Sequence, residues 1–152
     1  MRISSSKFIV GAVLAVTLCA VSTFARNHHS LNGTWTLIPT KSDFAGQTVI
    51  QTGAVTINDR EGNISISRDF TYDGASDTFT YSFSTDGREN STIRDGKDFK
   101  SKAKWEGDTL KVTTTQGGAT TLERFSLAPD GTLMLNAVLP DHKPITLVFE
   151  HK

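Results

Sequence analysis

Cysteine and excess charge are both scarce in this chain of 152 residues. Its single cysteine excludes a disulfide framework and a zinc site built from cysteines. Sixteen Lys and Arg residues balance sixteen Asp and Glu residues, so the chain lacks the basic surface of a nucleic-acid-binding protein. The length suits one domain. Without disulfides, such a domain must be stabilised by apolar burial and backbone pairing.

Motifs of common active sites are also lacking. The sequence contains no GxSxG, no HExxH, no phosphate-binding glycine loop and no EF-hand spacing. His142 lies in a predicted hairpin loop and His151 near the C-terminus, and a serine partner for either would have to come from elsewhere in the fold. We therefore expect no enzyme, no cofactor and no catalytic or metal-binding residue.

The N-terminal 25 residues have the layout of a secretory signal peptide. Arg2 and Lys7 precede an almost purely apolar run over 8–21, and 23–25 (Thr-Phe-Ala) forms an acceptable cleavage site. The apolar run is shorter than a membrane-spanning helix needs. We expect a secreted or periplasmic protein without stable membrane insertion after cleavage. An uncleaved anchor and lipid modification at Cys19 are the alternatives, although Leu18 disfavours the second.

Residues 26–31 form a polar lead-in to the domain. If cleavage follows Ala25, a free amine precedes Arg26-Asn27-His28. The amine, two amide nitrogens and the His28 imidazole could surround Cu²⁺ or Ni²⁺ in a square plane, the geometry that these ions favour. The alternative is a lead-in that binds no metal.

Helical periodicity is nearly absent from the remainder, whereas strand and hairpin signals recur. Short turn pairs such as Asp73-Gly74 and Asp95-Gly96 separate runs that alternate with period two. The predicted domain, 32–152, is an all-β, up-and-down antiparallel meander of about eight to ten strands that closes into a barrel or clam. The strands are predicted at 33–38, 49–58, 63–72, 77–84, 88–94, 98–106, 109–116, 119–128, 132–139 and 144–150.

The two faces of this sheet differ sharply in polarity. On 98–106, Phe99, Ala103 and Trp105 share one parity, while the other parity is charged. The same apolar parity predicts inward side chains at Val55, Ile57, Ile64, Ile66, Phe70, Tyr72, Phe79, Tyr81, Phe83, Leu110, Val112, Leu133, Leu135, Leu139, Ile145, Leu147 and Phe149. An interior of this kind suits an apolar or amphipathic molecule.

Two arginines interrupt the apolar pattern. Arg68 shares its parity with Ile66 and Phe70, so it pairs with a protein carboxylate, binds a ligand anion or extends from the rim. The orientation of Arg124 is open, because Phe125 and Leu127 occupy the opposite parity and a bulge could exchange the faces.

The first predicted strand opens with a Gly-x-Trp motif, formed by Gly33 and Trp35. This motif resembles the one on the first strand of lipocalins, which belong to the calycin superfamily together with fatty-acid-binding proteins. The resemblance implies that Trp35 packs at the closed end of a barrel, with Arg124 as the candidate for the arginine beneath it. The strings 33–37 (GTWTL) and 41–44 (KSDF) are also similar to uncharacterised secreted bacterial lipocalin-like proteins that open with GTWxL and KSxF.

Three strings in the C-terminal half carry a second resemblance: 105–107 (WEG), 120–124 (TTLER) and 130–133 (DGTL). They are similar to the late hairpins of intracellular fatty-acid-binding proteins. The resemblance implies that Arg124 helps to hold a carboxylate, but Leu147 and Phe149 stand where that family has further clamp residues. The short segment 39–48 leaves no room for the family's helical lid.

We expect a monomeric carrier that holds a small hydrophobic or amphipathic molecule non-covalently and does not bind nucleic acid. Arg68 or Arg124 would orient an anionic head group, and Gly33 with Trp35 would form a structural motif. The alternative is a packed barrel that binds protein partners through its outer face, including Lys100, Lys102 and Lys104. The residues predicted to bury the apolar part of the ligand are Phe79, Tyr81, Phe99 and Trp105.

Overall fold

A computed structural model of the chain describes residues 28–152. The predicted signal peptide and the first two residues of the lead-in lie outside this part. Ten strands and one short 3-10 helix, Pro39–Lys41, follow one another along the chain. The strands are β1 (Gly33–Leu37), β2 (Thr52–Arg60), β3 (Asn63–Tyr72), β4 (Ala75–Ser84), β5 (Asp86–Arg94), β6 (Lys97–Glu106), β7 (Thr109–Gln116), β8 (Ala119–Leu127), β9 (Leu133–Val138) and β10 (Ile145–His151).

All ten strands belong to one antiparallel sheet, in the order β4-β3-β2-β1-β10-β9-β8-β7-β6-β5. The first and last strands pair, with Leu37 opposite Phe149, and this pairing joins the two ends of the meander. Only β4 and β5 form edges of the described sheet, although a single residue, Thr85, separates them. The prediction of an all-β meander is confirmed, and the structure is a nearly closed barrel.

Tight turns set the register between neighbouring strands. Tyr72 pairs with Ala75 across the two-residue turn Asp73-Gly74, where φ is 44° and 82°. A two-residue turn of this hand needs positive φ at both positions, which Asp tolerates and Gly adopts freely. The strands on either side therefore meet in the register that keeps apolar side chains on the inner face.

Alternation along β6 places apolar side chains inside and charge outside, as the sequence predicts. Phe99, Ala103 and Trp105 are buried, whereas the intervening lysines are exposed. These lysines form ion pairs on the outer surface: Lys100 and Lys102 with Glu89, and Lys104 with Glu106.

The core fills the barrel near Trp35, which is 4% exposed. Its Nε1 donates a hydrogen bond to the carbonyl oxygen of Leu31 at 2.9 Å, so the end of the lead-in is held against the core. His151 lies edge-on to the Trp35 ring at 4.8 Å between centroids. A side chain at Gly33, where φ is 135°, would collide with that histidine ring. Among the described residues, no helix is long and apolar enough to cross a membrane.

Candidate functional site

A cavity of about 320 Å³ occupies the barrel interior away from the Trp35 end. Residues from β3 to β10 line it, together with Ile50 from the segment before β2. Most of this lining is apolar, which suits the hydrocarbon part of a small molecule. The apolar and aromatic lining residues are Ile50, Phe70, Tyr72, Phe79, Tyr81, Phe99, Ala119, Leu135, Ala137, Leu139, Ile145 and Leu147.

Three aromatic rings form one wall of the cavity. Phe79 and Tyr81 are alternate residues of β4, so both point inward, and their stacked ring centroids lie 5.3 Å apart. Phe99 from β6 meets Phe79 edge to face at 5.2 Å. This contact crosses the space between β4 and β6, beside the unpaired edges of the sheet.

Polar groups converge at Arg68, Tyr81 and Glu123. The Arg68 Nη2 lies 2.7 Å from Glu123 Oε2 and also donates to the Tyr81 hydroxyl. The Tyr81 hydroxyl in turn donates to the same carboxylate oxygen at 3.2 Å. The side chains of Arg68 and Glu123 are 20% and 7% exposed, so the pair lies within the barrel. Of the sequence alternatives for Arg68, pairing with a protein carboxylate is the one that the structure contains.

Both burial and neighbouring charges shift the pKa values of Arg68 and Tyr81. Burial disfavours the Arg68 cation, but the charge and hydrogen bond of Glu123, together with Tyr81 and Tyr72, outweigh this effect, so the pKa of Arg68 lies above its usual range. Burial also raises the pKa of Tyr81, and Glu123 adds to that effect while Arg68 opposes it. At neutral pH the site therefore contains the Arg68 cation and a protonated Tyr81 phenol, both in contact with the Glu123 carboxylate.

A second arginine, Arg94 of β5, lies across the gap between the sheet edges. Its Nη2 contacts the two carboxylate oxygens of Asp77 on β4 at 3.1 and 3.2 Å. Its guanidinium carbon lies 4.1 Å from the centroid of the Phe79 ring. Side-chain contacts thus join β4 and β5 beside the cavity, where backbone hydrogen bonds do not.

Four of the predicted ligand-binding residues line the cavity: Arg68, Phe79, Tyr81 and Phe99. Trp105 does not. Although it is inward-facing, it lies near the end of β6, and its ring stacks on His28 at 3.6 Å between centroids. The expectation that Trp105 belongs to the cavity wall is therefore corrected, because its place in the strand puts it beside the lead-in.

The predicted role of Arg124 in ligand binding is also corrected, since its orientation, which the sequence leaves open, is outward. Glu123 and Phe125 are buried, so Arg124 takes the outward parity of β8, opposite Lys111 and Asn136 on the neighbouring strands. Glu123 is not among the residues predicted from the sequence to form the site. Its parity with Phe125 is the signal that could have found it, whereas the resemblance to fatty-acid-binding proteins pointed to the adjacent arginine.

The predicted structural motif lies outside the cavity lining. Trp35 is buried and its ring meets His151 edge-on, whereas Arg124 faces outward from β8. The implied packing of Arg124 beneath Trp35 is thus corrected as well. Leu147 and Phe149 are buried on β10, as expected.

The segment between β1 and β2 contains one 3-10 turn in place of a helical lid. Asp43 forms an isolated bridge to Thr146 of β10, which ties this segment to the barrel. Ile50, buried near its end, contributes to the cavity wall.

Metal ligands do not cluster in the described part of the chain. No group of three His, Cys, Asp or Glu residues there could hold an ion. His28 stacks on Trp105, and its Nε2 lies 3.7 Å from Asp59 Oδ2. The copper or nickel site at the N-terminus remains a prediction, since Arg26 and Asn27 lie outside the described residues.

Comparisons with known proteins identify the fold. The chain matches no protein-family model, and no curated protein matches it significantly. Among solved structures, it resembles one described as the REP1-NXSQ fatty acid transporter, with 19% identity, a TM-score of 0.62 and coverage of 80% of this chain and 96% of that chain. It also resembles human cRBP IV, with 18% identity, a TM-score of 0.60 and coverage of 82% and 99%.

A third similar structure is that of a point mutant of the fluorescent protein UnaG. Its identity is 16%, its TM-score is 0.63, and the match covers 80% of this chain and 95% of that chain. These structures are barrels of the fatty-acid-binding-protein type, so the calycin resemblance is confirmed for the fold. At such identities the likeness concerns the fold alone.

Proposed function

We propose that this protein binds a small hydrophobic or amphipathic molecule non-covalently inside the barrel. The observation that carries this proposal is the cavity of about 320 Å³ with its mostly apolar lining. Burial of hydrocarbon against such a wall contributes about 25 cal/mol per Å² of apolar surface. The resemblance to a structure described as a fatty acid transporter supports the same type of ligand.

We propose that the protein binds its ligand without converting it chemically. Arg68, Tyr81 and Glu123 hold one another in an ion pair and hydrogen bonds, and this cluster does not pair a nucleophile with a free base. They suit recognition of a polar group on the ligand.

The alternative of a packed barrel that acts through its outer face receives less support. It requires an interior filled by side chains, whereas the cavity has the size of a small-molecule site. The outer lysines Lys100, Lys102 and Lys104 are also engaged with Glu89 and Glu106, so their charge is partly compensated.

A cavity-filling substitution tests the proposal. Ala137 of β9 lines the cavity and is 4% exposed, whereas the next residue, Val138, is 37% exposed on the outer face. We expect Ala137→Phe to weaken the binding of an apolar fluorescent probe such as ANS by at least about tenfold, since it removes volume. Val138→Phe is the matched control and should leave the affinity unchanged. Equal affinities of the two variants, or no uptake by the wild type, would contradict the proposal.

Export is part of the same proposal and rests on the sequence of residues 1–25. A basic start, an apolar run and the Thr-Phe-Ala string support a cleaved signal peptide. We expect the mass of the protein from its natural source to match residues 26–152. An intact N-terminus on protein recovered from inside the cell would contradict export without affecting the proposed binding.

A further inference from the structure

Given the proposed function, the polar groups in the cavity indicate the chemical class of the ligand. Arg68 is a buried cation, which by itself would favour a carboxylate. However, Glu123 already occupies that guanidinium at 2.7 Å, so the two formal charges cancel. Any ligand anion must therefore approach a cation that has its own carboxylate.

The second cation beside the cavity, Arg94, also has a carboxylate partner. Arg94 contacts both carboxylate oxygens of Asp77 at 3.1 and 3.2 Å, and its guanidinium lies against the ring of Phe79. Asp77 thus pairs with Arg94, although its carboxylate is 55% exposed, whereas that of Glu123 is 7% exposed. The cavity lining in the described chain contains no third Lys or Arg.

Hydrogen-bonding capacity nevertheless remains at the inner pair. Among the described residues, both hydrogen bonds that Glu123 accepts end on Oε2, which leaves Oε1 as an acceptor. Arg68 uses Nη2 for Tyr81 and Glu123, while its Nη1 makes no hydrogen bond to the described part of the chain. Its Nε also has no partner there, but that atom is buried and cannot reach a ligand. A guanidinium has N–H donors beyond the two bonds from Nη2. Arg68 and Glu123, which both line the cavity, therefore offer a donor and an acceptor.

We propose that the ligand presents an uncharged hydroxyl group to Arg68 and Glu123. A hydroxyl oxygen can accept a hydrogen bond from the Arg68 guanidinium while its proton is donated to the Glu123 carboxylate. A carboxylate ligand can do only the first, and it would bring a second negative charge close to Glu123 in a poorly solvated site. Two negative charges close together in a poorly solvated site strongly disfavour each other.

A pair of ligands with the same hydrocarbon chain tests this assignment. Decanol and decanoate, each displacing a bound apolar fluorescent probe from the wild-type protein at neutral pH, differ only in the head group. We expect decanol to bind at least about tenfold more tightly than decanoate. Decanoate that binds as tightly as decanol, or more tightly, would overturn the assignment, while displacement by either ligand would still support the proposed function.

Substitution of the carboxylate shows whether Glu123 causes the preference. In Glu123→Gln the Arg68 cation has no carboxylate, so decanoate should gain at least about tenfold in affinity while decanol changes less than about threefold. Glu106→Gln is the control, because it makes the same chemical change on the exposed end of β6. If the ratio of decanol to decanoate affinity were the same in Glu123→Gln as in the wild type, Glu123 would not be the cause of the preference.

Two further outcomes are decisive. If Glu123→Gln does not fold, the ratio of decanol to decanoate affinity in the wild type still confirms or overturns the uncharged head group. If the wild type takes up no probe and neither ligand shifts its thermal unfolding, the proposed function fails and the ligand assignment fails with it.

Discussion

Glu123 and Arg124 are adjacent charged residues of β8, and their one-residue offset determines the electrostatics of the barrel interior. Because consecutive side chains of a strand point to opposite faces, only one of them can face inward. The structure turns Glu123 inward, where it compensates Arg68, and Arg124 outward. With the reverse orientation, Arg124 would join Arg68 and Arg94 at the cavity, Glu123 would face outward, and the interior would favour an anion. The identity of one inward residue therefore changes the expected ligand class.

Tyr81 links this ion pair to the pH dependence of stability. Burial raises the pKa of Tyr81 above its ordinary value of 10.0, so above about pH 10 the unfolded chain loses a proton that the folded chain keeps. The stabilisation is complete below that pH and decreases as pH rises. We expect the free energy of unfolding of the wild type to fall about 1.4 kcal/mol per pH unit more steeply than that of Tyr81→Phe.

Urea unfolding of both proteins across this pH range measures the effect. At neutral pH Tyr81→Phe should be less stable by about 1 kcal/mol, because Glu123 loses the hydroxyl that donates to it. Above pH 10 this difference should shrink and then change sign, because the free energy of unfolding of the wild type keeps falling more steeply. Tyr72→Phe serves as a comparison and should show a smaller effect, since Tyr72 is only half-buried. Parallel curves for the wild type and Tyr81→Phe would show that the Tyr81 hydroxyl titrates alike in both states.

At the scale of strands, the barrel lacks backbone pairing between the edges of β4 and β5. Arg94 spans this gap through Asp77 and the Phe79 ring. We expect Arg94→Gln to accelerate dissociation of a bound apolar probe about threefold to tenfold, since it removes an ion pair and a cation–π contact worth about 1 kcal/mol together. Stopped-flow displacement measures this rate.

Arg88→Gln on the same strand is the control for that prediction. Arg88 is 85% exposed and pairs with Asp86 rather than across the gap, so its substitution makes the same change in charge at a site remote from the cavity. The dissociation rate should match that of the wild type. Equal acceleration by both variants would attribute the effect to net charge, and no acceleration by either would exclude the Arg94 contact as a barrier.

Strand positions are predictable from the sequence to a large extent, because period-two alternation and turn pairs are local properties. The predicted strands match all ten in the structure, with ends that differ by a few residues. The cavity is not predictable in this way. Alternation tells which side chains point inward, but whether they meet at the centre depends on their packing across the barrel. For the same reason, alternation along β6 correctly predicts that Trp105 faces inward, but it does not predict that Trp105 lies outside the cavity wall.

At the scale of the whole molecule, the barrel interior has two parts with different tasks. Leu110 of β7 is fully buried in the core and does not line the cavity, whereas Leu139, just after β9, is only partly buried and does. Removal of a buried leucine leaves a void in close-packed surroundings, but Leu139 already borders open space. Stability and binding should therefore respond to different leucines.

Alanine substitutions at these two positions compare the parts directly. We expect Leu110→Ala to lower the free energy of unfolding by about 2–5 kcal/mol and to leave probe affinity unchanged. Leu139→Ala should lower it by less than about 1.5 kcal/mol, yet weaken the probe severalfold because contact area with the ligand is lost. Urea unfolding and fluorescence titration of the same samples provide both values. If each variant lost stability and affinity in proportion, the interior would behave as one continuous core, and the cavity would have no role separate from folding.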